Sequence, residues 1–350
     1  MNHLCKLKRL LVKPLPITCL LVVCFIALTA CSDKPSNANH TYIQRLANTL
    51  DLQPVTPKPL VPLSLIPLTV LSDSNITLGI IQLASLSHCK LNVLISEHNN
   101  QLGKTATAAS ILIYQIKFIQ SAQQCLTSLE KDSSIYKKIL AATEHKQNNL
   151  MHYFNSMLYK ESELNRIWQL SSRELSITPA GFSDTVNAVT KLVNIKQQIT
   201  KQQFAQINSE HLFAALEQLN KYQFNQQLIQ SVRTQIALNN SATQFINTIN
   251  ISQLCQAGKN NNQAQIVNNI FKKYYLGQVQ PYQAQLAGYL ETLQPLYQQL
   301  WYKTAITSKP INNLLQPNAN SNLLNQLKYS AKNHVFWWQI FYKTCEISPI

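Results

Sequence analysis

The sequence has little glycine and none of the dipeptides that form tight hairpin turns. Six glycines occur in 350 residues, and none of them follows an asparagine, an aspartate or another glycine. Two-residue hairpin turns between strands usually need such a pair. Glutamine, leucine, alanine and lysine are frequent instead, and these residues favour helix. The composition therefore argues against a β-sheet protein and predicts an all-α one.

The start of the chain lacks an apolar run long enough to cross a membrane. Residues 17–30 are about 14 apolar residues and would rise about 21 Å as a helix, whereas a bilayer core is about 30 Å thick. Lys6, Lys8, Arg9 and Lys13 precede this run, and no acid occurs before Asp33. A basic start followed by a short apolar stretch is typical of a cleaved secretory signal. We therefore assign residues 1–30 to a signal peptide rather than to an uncleaved anchor.

The predicted signal peptide ends in a short motif around a cysteine. Leu28-Thr29-Ala30-Cys31 resembles the lipobox of bacterial lipoproteins. The resemblance implies that Cys31 is the first residue of the mature chain and carries lipid, including an acyl chain such as palmitate, that anchors the protein to a membrane. Ser32 follows it, in place of the aspartate that typically retains lipoproteins in the inner membrane. We therefore expect a lipid-anchored protein on the periplasmic face of the outer membrane.

The segment 31–75 is expected to connect this anchor to the folded body. Residues 32–40 are polar and typical of a flexible tether. Residues 51–68 hold five prolines, which remove amide donors and fix φ, so this stretch forms neither a helix nor a central strand. Because it is also apolar, we expect it to lie extended along the body.

After residue 75 the apolar residues recur at helical spacing. This pattern predicts an elongated multi-helix bundle over residues 76–350. Because Pro179-Ala180-Gly181 interrupts the pattern, the bundle is either one body or two packed halves near 76–178 and 182–350. The expected helices cover residues 78–98, 105–129, 133–158, 161–171, 183–250 in several segments, 264–276, 280–304 and 321–344.

Acidic residues are scarce. The chain has 30 Lys and Arg against 15 Asp and Glu, and removal of residues 1–30 takes away four cations and no acid. This leaves 26 against 15, a net charge of +11. The cations are scattered, without a run of five or more like charges, and the expected compartment holds no nucleic acid. We therefore expect no nucleic-acid partner, and the charge fits solvated helix faces or a diffuse attraction to anionic lipid or cell-wall polymer.

No two cysteines have CxxC spacing, which argues against a zinc knuckle or a thioredoxin-like site, and we expect neither a metal nor a cofactor. An even number of cysteines after Cys31, in an oxidising compartment, predicts two disulfides with three connectivities open. We favour the two pairs that each flank one compact region. These pairs are Cys89–Cys125 and Cys255–Cys345.

The first pair places a condition on the helices that carry it. Cys89 and Cys125 lie at unequal distances from the turn at Gly103, so a simple antiparallel hairpin would leave them out of register. A disulfide needs Cα atoms within about 7 Å. The second helix must therefore start near Ala108, or it must bend.

The sequence lacks a convergent set of acidic, basic or nucleophilic residues, and no catalytic residue is assigned. Gly103-Lys104-Thr105 matches the end of a phosphate-binding loop, but His98 stands where that motif needs its first glycine. The densest polar group, at the tip of the first helical pair, is a candidate polar site, and a capped turn is the alternative. Its residues are Glu97, His98, Asn100 and Lys104.

Several stretches of the chain are similar to a family of secreted lipoproteins of unknown function, DUF family 3080. The similarity covers a helix–turn–helix with two cysteines, LGIIQLASLSHCKLNVLISEHNNQLGKTATAASILIYQIKFIQSAQQCL. It continues in IFKKYYLGQVQPYQAQL (residues 270–286) and in WWQIFYKTCEISP near the end. The family tends to have glycine after the last cysteine and arginine at the helical turn, where this chain has Glu346 and His98. The resemblance implies an envelope lipoprotein and brings no known activity, cofactor or catalytic residue.

Two classes of function follow from these observations. The first is a binding or scaffolding lipoprotein that presents a helical surface to an envelope protein or a cell-wall polymer. The second is a hydrolase-like envelope enzyme with a site assembled from distant residues such as Glu97, His98 and Lys104. The first is preferred, because the chain has a predicted lipid anchor and a helical body but no convergent acid–base group. A pocket with polar groups of perturbed pKa would favour the second.

Overall fold

The computed structural model describes residues 34–69, 71, 77–256 and 261–348, and of Leu102 and Lys104 it describes only the backbone. The predicted signal peptide and the predicted lipid-attachment residue, Cys31, lie outside the described residues. The described residues from Pro35 onward form one compact unit.

Every regular element in these residues is a helix, so the predicted all-α fold is confirmed. Two short 3₁₀ turns, Arg166–Trp168 and Phe204–Gln206, and one π-helix, Phe271–Val279, accompany the α-helices. The α-helices in chain order are α1 (Asn37–Leu50), α2 (Ile80–Ala84), α3 (Lys90–Asn99), α4 (Gln101–Lys104), α5 (Ala108–Leu126), α6 (Ser134–Lys160), α7 (Ser162–Asn165), α8 (Phe182–Thr200), α9 (Glu210–Tyr222), α10 (Phe224–Ile246), α11 (Ile251–Leu254), α12 (Asn262–Ile270), α13 (Gln280–Trp301), α14 (Lys309–Leu315) and α15 (Leu323–Cys345).

Several of the expected helices have different boundaries in the structure, and the one expected over 161–171 is only Ser162–Asn165 followed by the 3₁₀ turn Arg166–Trp168. The helix expected over 78–98 is divided into α2 and α3, because Cys89 has an extended backbone conformation with φ −107° and ψ 140°. The helices expected over 264–276 and 280–304 are joined, because the π-helix continues α12 directly into α13. At this junction the amide of Gln280 donates to the carbonyl of Tyr275, five residues earlier, and Pro281 follows without an N–H.

The folded body starts earlier in the chain than the polar composition of residues 32–40 predicts. The flexible tether expected over 32–40 is wrong from Ser36 onward, because the Ser36 amide and hydroxyl donate to the Glu174 carboxylate at 3.0 and 2.6 Å. Helix α1 starts at the next residue and buries Tyr42 and Leu46. The contact that holds its start joins residues 138 positions apart, so no local pattern indicates it.

The proline-rich segment, residues 51–68, has no helix and lies against the helical body. Leu63 and Leu65 are buried in the largest hydrophobic core. The amide of Ile66 donates to the carbonyl of Ile306 at 2.7 Å. The segment is therefore held at this end by both apolar burial and a backbone hydrogen bond.

The buried hydrophobic residues in the described part of the chain group into three clusters. The largest contains Leu112 and Leu158 before the Pro179–Gly181 break and Leu192 and Leu286 after it, so that break does not separate two cores. The second joins α1 to α15 and to the helices around the π-helix, and the third surrounds Cys89. None of the helices in this part of the chain is long and apolar enough to span a membrane.

Candidate functional site

A groove of about 640 Å³ lies beneath the proline-rich segment, between that segment and helices α10, α14 and α15. Helix α10 supplies one wall with Arg233, Asn240 and Gln244. These residues are seven and four positions apart, which places them on one face of a helix. Thr56 and Pro59 belong to the opposite wall. The groove is therefore closed on one side by a segment without helix and on the other by rigid helices.

Amide side chains dominate the polar lining of this groove. An amide both donates and accepts hydrogen bonds. The side chains of Asn240, Gln244 and Asn333 make no hydrogen bond to other described residues, so they are available to a ligand. The groove therefore suits a ligand rich in carbonyl, amide and hydroxyl groups. The lining amides are Asn240, Gln244, Asn247, Asn313, Gln326 and Asn333.

The charged residues of the groove are all cationic. Lys58 and Arg233 line it, and no aspartate or glutamate is among its described lining residues. The Arg233 guanidinium is half-buried and donates to the carbonyl of Val61, which holds the proline-rich segment in place. Burial lowers the pKa of Arg233, but an arginine side chain remains protonated in proteins. The groove therefore also suits a ligand that carries carboxylates.

A smaller cavity of about 190 Å³ adjoins the groove. It shares Thr56 and Ser241 with the groove, and its lining includes Asn39, His40 and Gln44 of α1. Polar surface therefore continues from the groove to the first helix of the body.

A buried hydrogen-bond network lies directly behind the groove. Thr243 lines the groove, and its hydroxyl oxygen lies 3.2 Å from Nδ1 of His334, which has no exposed surface. The hydroxyl of Tyr42 lies 2.9 Å from Nε2 of the same ring. The indole N–H of Trp338 donates to the Tyr42 oxygen at 3.1 Å. These contacts connect helix α1 to α10 and α15.

The protonation of this network follows from burial. Desolvation lowers the pKa of His334 to about 3, so the imidazole is neutral at neutral pH. The Tyr42 hydroxyl then donates to Nε2, and Nδ1–H donates to Thr243, whose own hydroxyl donates to the carbonyl of Asn239 at 2.8 Å. The indole N–H of Trp338 also lies 3.4 Å from Nε2, which is consistent with Nε2 as the acceptor, so the network supports the groove wall.

Buried amides extend the network across further helices. The Gln283 amide donates to both Gln235 and Asn239 at 2.9 Å, and the Gln235 amide donates to Asn39 at 3.0 Å. Asn239 donates in turn to the Ser330 hydroxyl at 3.2 Å. Helices α1, α10, α13 and α15 are thus joined by hydrogen bonds as well as by apolar packing.

The π-helix borders the same network. Its Phe271 ring stacks on Trp338 at 4.1 Å between centroids, and its Tyr275 ring lies 4.5 Å from the His334 ring. Wide turns of this kind are rare and occur frequently at functional sites. Here the π-helix places two aromatic rings against the side chains that support the groove.

The candidate polar site at the first helical pair is not gathered around one cavity. Glu97 is exposed, and Asn100 accepts the amide of Gly103 at 2.9 Å, as expected for a capped turn. The His98 ring stacks on Tyr114 at 3.7 Å between centroids. The side chain of Lys104 lies outside the described residues. The hypothesis of a hydrolytic site at these residues therefore gains no support from their placement.

Both expected disulfides are present. The Cα atoms are 5.4 Å apart in Cys89–Cys125 and 5.1 Å apart in Cys255–Cys345. Helix α5 starts at Ala108, the start that the register of the first pair requires. The sulfurs of that pair lie near His88, but they are bonded to each other and offer no thiolate to a metal.

Sequence reasoning missed Lys146, which lies beside His98. Its ammonium lies 4.8 Å from the ring centroid of Tyr114 and 4.7 Å from that of Phe118. A signal for it exists in the sequence, because Lys146 interrupts a stripe that is otherwise buried. This stripe, at steps of three and four on α6, is Ile139, Thr143, Lys146, Leu150 and Phe154.

Comparison with known proteins finds one family. The family model described as "Protein of unknown function (DUF3080)" matches residues 39–349, a range that contains the groove, the buried network and both disulfides. No curated protein matches the chain, and no solved structure matches it.

Proposed function

The chain belongs to the DUF3080 family of proteins of unknown function, and from this premise we propose that it is a lipid-anchored binding protein of the bacterial envelope. Cys31 is the proposed lipid attachment site, and the periplasmic face of the outer membrane is the proposed location. The groove beneath the proline-rich segment is the proposed binding site, and a cell-wall polymer is its proposed ligand.

The observation that carries this proposal is the chemistry of the groove. Six amides and two cations line it, and its described lining has no carboxylate and no imidazole. Such a surface binds polar chains by hydrogen bonds and charge, and its described lining lacks the imidazole and carboxylate groups most often used in general acid–base catalysis. Cell-wall polymer presents hydroxyls, amides and carboxylates along its length, which complement this lining.

The start of the body fits an anchored protein. Ser36 is buried and bonded to Glu174, and four residues separate it from Cys31. An extended chain advances about 3.3–3.6 Å per residue, so this connection spans at most about 18 Å. A lipid at Cys31 would therefore restrict the protein to polymer near the membrane.

Sedimentation with purified cell-wall sacculi tests the binding proposal. We expect the mature protein to sediment with the sacculi, and a variant with Asn240→Leu and Gln244→Leu to lose about tenfold in affinity. Two lost hydrogen bonds of about 1 kcal/mol each correspond to a change of this size or somewhat more. Both side chains are exposed, so we expect the variant to fold normally.

A matched control carries Gln124→Leu and Asn194→Leu, two exposed positions outside the groove. We expect its affinity for sacculi to stay within about twofold of that of the unmodified protein. Equal losses in the groove variant and the control, or no sedimentation of the unmodified protein, would refute the proposed ligand. Crosslinking of the envelope followed by mass spectrometry would then identify a protein partner instead.

A further inference from the structure

A second pocket, whose lining differs in chemistry from that of the groove, lies beside the Cys89–Cys125 disulfide. It has a volume of about 270 Å³ and is bounded by α2, α3, α5 and α6. Its lining is mixed, and six of the eleven described lining residues are apolar. The apolar lining residues are Leu78, Leu83, Ile95, Phe118, Ile139 and Ala142.

One cation, Lys146, stands at this pocket without a neutralising acid. Its ammonium donates to Oε1 of Gln115 at 2.6 Å and lies over the rings of Tyr114 and Phe118. It makes no ion pair with any carboxylate that the structure describes. The ion pair found among the described residues joins Lys328 to Glu291. An ammonium has three donor positions, and Gln115 uses one of them. Lys146 therefore retains capacity for an anion.

The other lysine of the pocket is already engaged. Lys138 donates to the Thr77 carbonyl and to the Gln82 side chain, both at 3.0 Å. It precedes Lys146 by eight residues on α6, which places the two about 12 Å apart along the helix. By the same count Lys138 has one donor position left and Lys146 has two, so the Lys146 end of the pocket has the greater capacity for an anion.

We propose that this pocket binds a small amphiphilic carboxylate, with the carboxylate on the Lys146 ammonium and the apolar part against the leucine and isoleucine side chains. One ammonium matches one negative charge, which favours a monoanion. The volume lies just below the range of drug-sized sites, about 300–1,000 Å³, so it accommodates a chain of about eight carbons and excludes a whole phospholipid. This site is separate from the proposed groove, and neither proposal depends on the other.

Protonation of Lys146 supplies a second signature. Burial lowers the pKa of Lys146 to about 8, and an anion binds its charged form. The titratable groups beside it are His98 on α3 and Tyr114 on α5, and Lys138 on its own helix is about 12 Å away. Burial and Lys146 lower the pKa of His98, and burial raises that of Tyr114 to about 12, so both are neutral from pH 7 to 9. Across this range we expect carboxylate affinity to fall about tenfold.

Calorimetric titration of the mature, disulfide-bonded protein with octanoate and with octanol tests the proposal. We expect octanoate to bind at least tenfold more tightly than octanol at pH 7. Lys146→Met keeps an unbranched side chain, one heavy atom shorter, and removes its charge. We expect this variant to bind octanoate at least tenfold more weakly and to lose the pH dependence of octanoate binding. Its octanol affinity should stay within about threefold of that of the unmodified protein, which would show that the pocket is intact.

Lys138→Met is the matched control, and we expect its octanoate affinity to stay within about threefold of the original. The proposal is overturned if the unmodified protein does not bind octanoate or binds octanol equally well. It is also overturned if Lys138→Met loses as much affinity as Lys146→Met, or if Lys146→Met loses octanol binding too.

Discussion

His334 is a fully buried imidazole with a partner at each ring nitrogen. Aromatic rings surround it, with Tyr275 4.5 Å and Tyr42 5.6 Å away between centroids. Burial raises the pKa of both tyrosines, so they are neutral below pH 9 and offer no negative charge to an imidazolium. The ring is therefore held in its neutral form, and its protonation opposes folding.

This environment predicts a loss of stability in acid. The pKa of His334 is about 3 in the folded state and about 6.5 in the unfolded chain. The unfolded state thus takes up the proton first as the pH is lowered. The contribution of His334 to the free energy of unfolding is therefore constant above pH 7 and falls between pH 6.5 and 3. We expect about 2 kcal/mol less unfolding free energy at pH 5 than at pH 7 from this residue. Urea denaturation at the two pH values measures the difference.

His334→Asn is the control for this prediction, because it removes the titration. His98 and His152, whose pKa values are also lowered, titrate in both proteins and cancel in the comparison. We expect the pH 7 to pH 5 difference to be about 2 kcal/mol smaller in the variant. An identical difference in both proteins would contradict a buried neutral His334.

Helix ends are held by local and distant contacts. At the start of α5, the Thr107 side chain caps the first turn, and the Glu161 carboxylate accepts the amide of Ala109 at 2.6 Å. At the preceding turn, a Cβ on Gly103 would lie 2.0 Å from the carbonyl oxygen of His98, so this close approach requires glycine. These contacts place the start of α5 and, with it, the register of the first disulfide.

The backbone conformation at the end of α15 is less favourable for the residue that adopts it. Glu346 follows Cys345 with φ 51°, in the left-handed region, where the related family tends to have glycine. We expect Glu346→Gly to raise the free energy of unfolding by about 0.5–1 kcal/mol, because glycine adopts this conformation without a Cβ penalty. Guanidinium denaturation measures the change.

Glu346→Ala separates backbone conformation from charge. Both variants remove a negative charge from a helix C-terminus, where it is unfavourable, but alanine keeps the Cβ atom. We expect most of the gain to require glycine, so the glycine variant exceeds the alanine variant by about 0.5 kcal/mol in unfolding free energy, because alanine keeps the Cβ penalty at positive φ. Equal stabilities would mean that the gain comes from charge alone.

On the scale of the whole molecule, the body is held together by long-range contacts. Each of the two disulfides joins a cysteine within a helix to a cysteine beside another helix. Cys125 of α5 is bonded to Cys89, which precedes α3, and Cys345 of α15 is bonded to Cys255, which follows α11. The Ser36–Glu174 contact holds the start of α1. All of these contacts are made by residues from Ser36 onward, so we expect the loss of a proposed lipid at Cys31 to leave the fold unaffected.

Cys31→Ser is therefore expected to abolish lipid labelling and membrane retention while the helical circular dichroism spectrum stays unchanged. Labelling with radioactive palmitate and fractionation of the envelope measure the two losses. Fractionation includes a wash in high salt, because salt screens the attraction of a net charge of +11 to anionic lipid. If the variant still fractionates with the outer membrane after this wash, the lipoprotein proposal is wrong.

The sequence by itself determined the features that depend on local composition and spacing. Helical periodicity after residue 75 and the lack of hairpin turns established an all-α body, because these patterns report which residues face a core. Proline in residues 51–68 excluded helix there, since it lacks an amide donor. The cysteine spacing indicated Cys89–Cys125 and Cys255–Cys345, because each pair lies around one compact region.

The tertiary structure alone decided which buried helix faces pack against each other. The Glu174 carboxylate holds the start of helix α1, and the groove combines residues from the proline-rich segment, α10, α14 and α15, from Thr56 to Asn333, which are 277 positions apart. Lys146 is an ordinary lysine in sequence, and its lowered pKa arises from its burial in the folded chain, where it lies over Tyr114 and Phe118. Periodicity identifies a buried face but carries no information about the partner, and partners this distant in sequence are selected by packing of the whole chain.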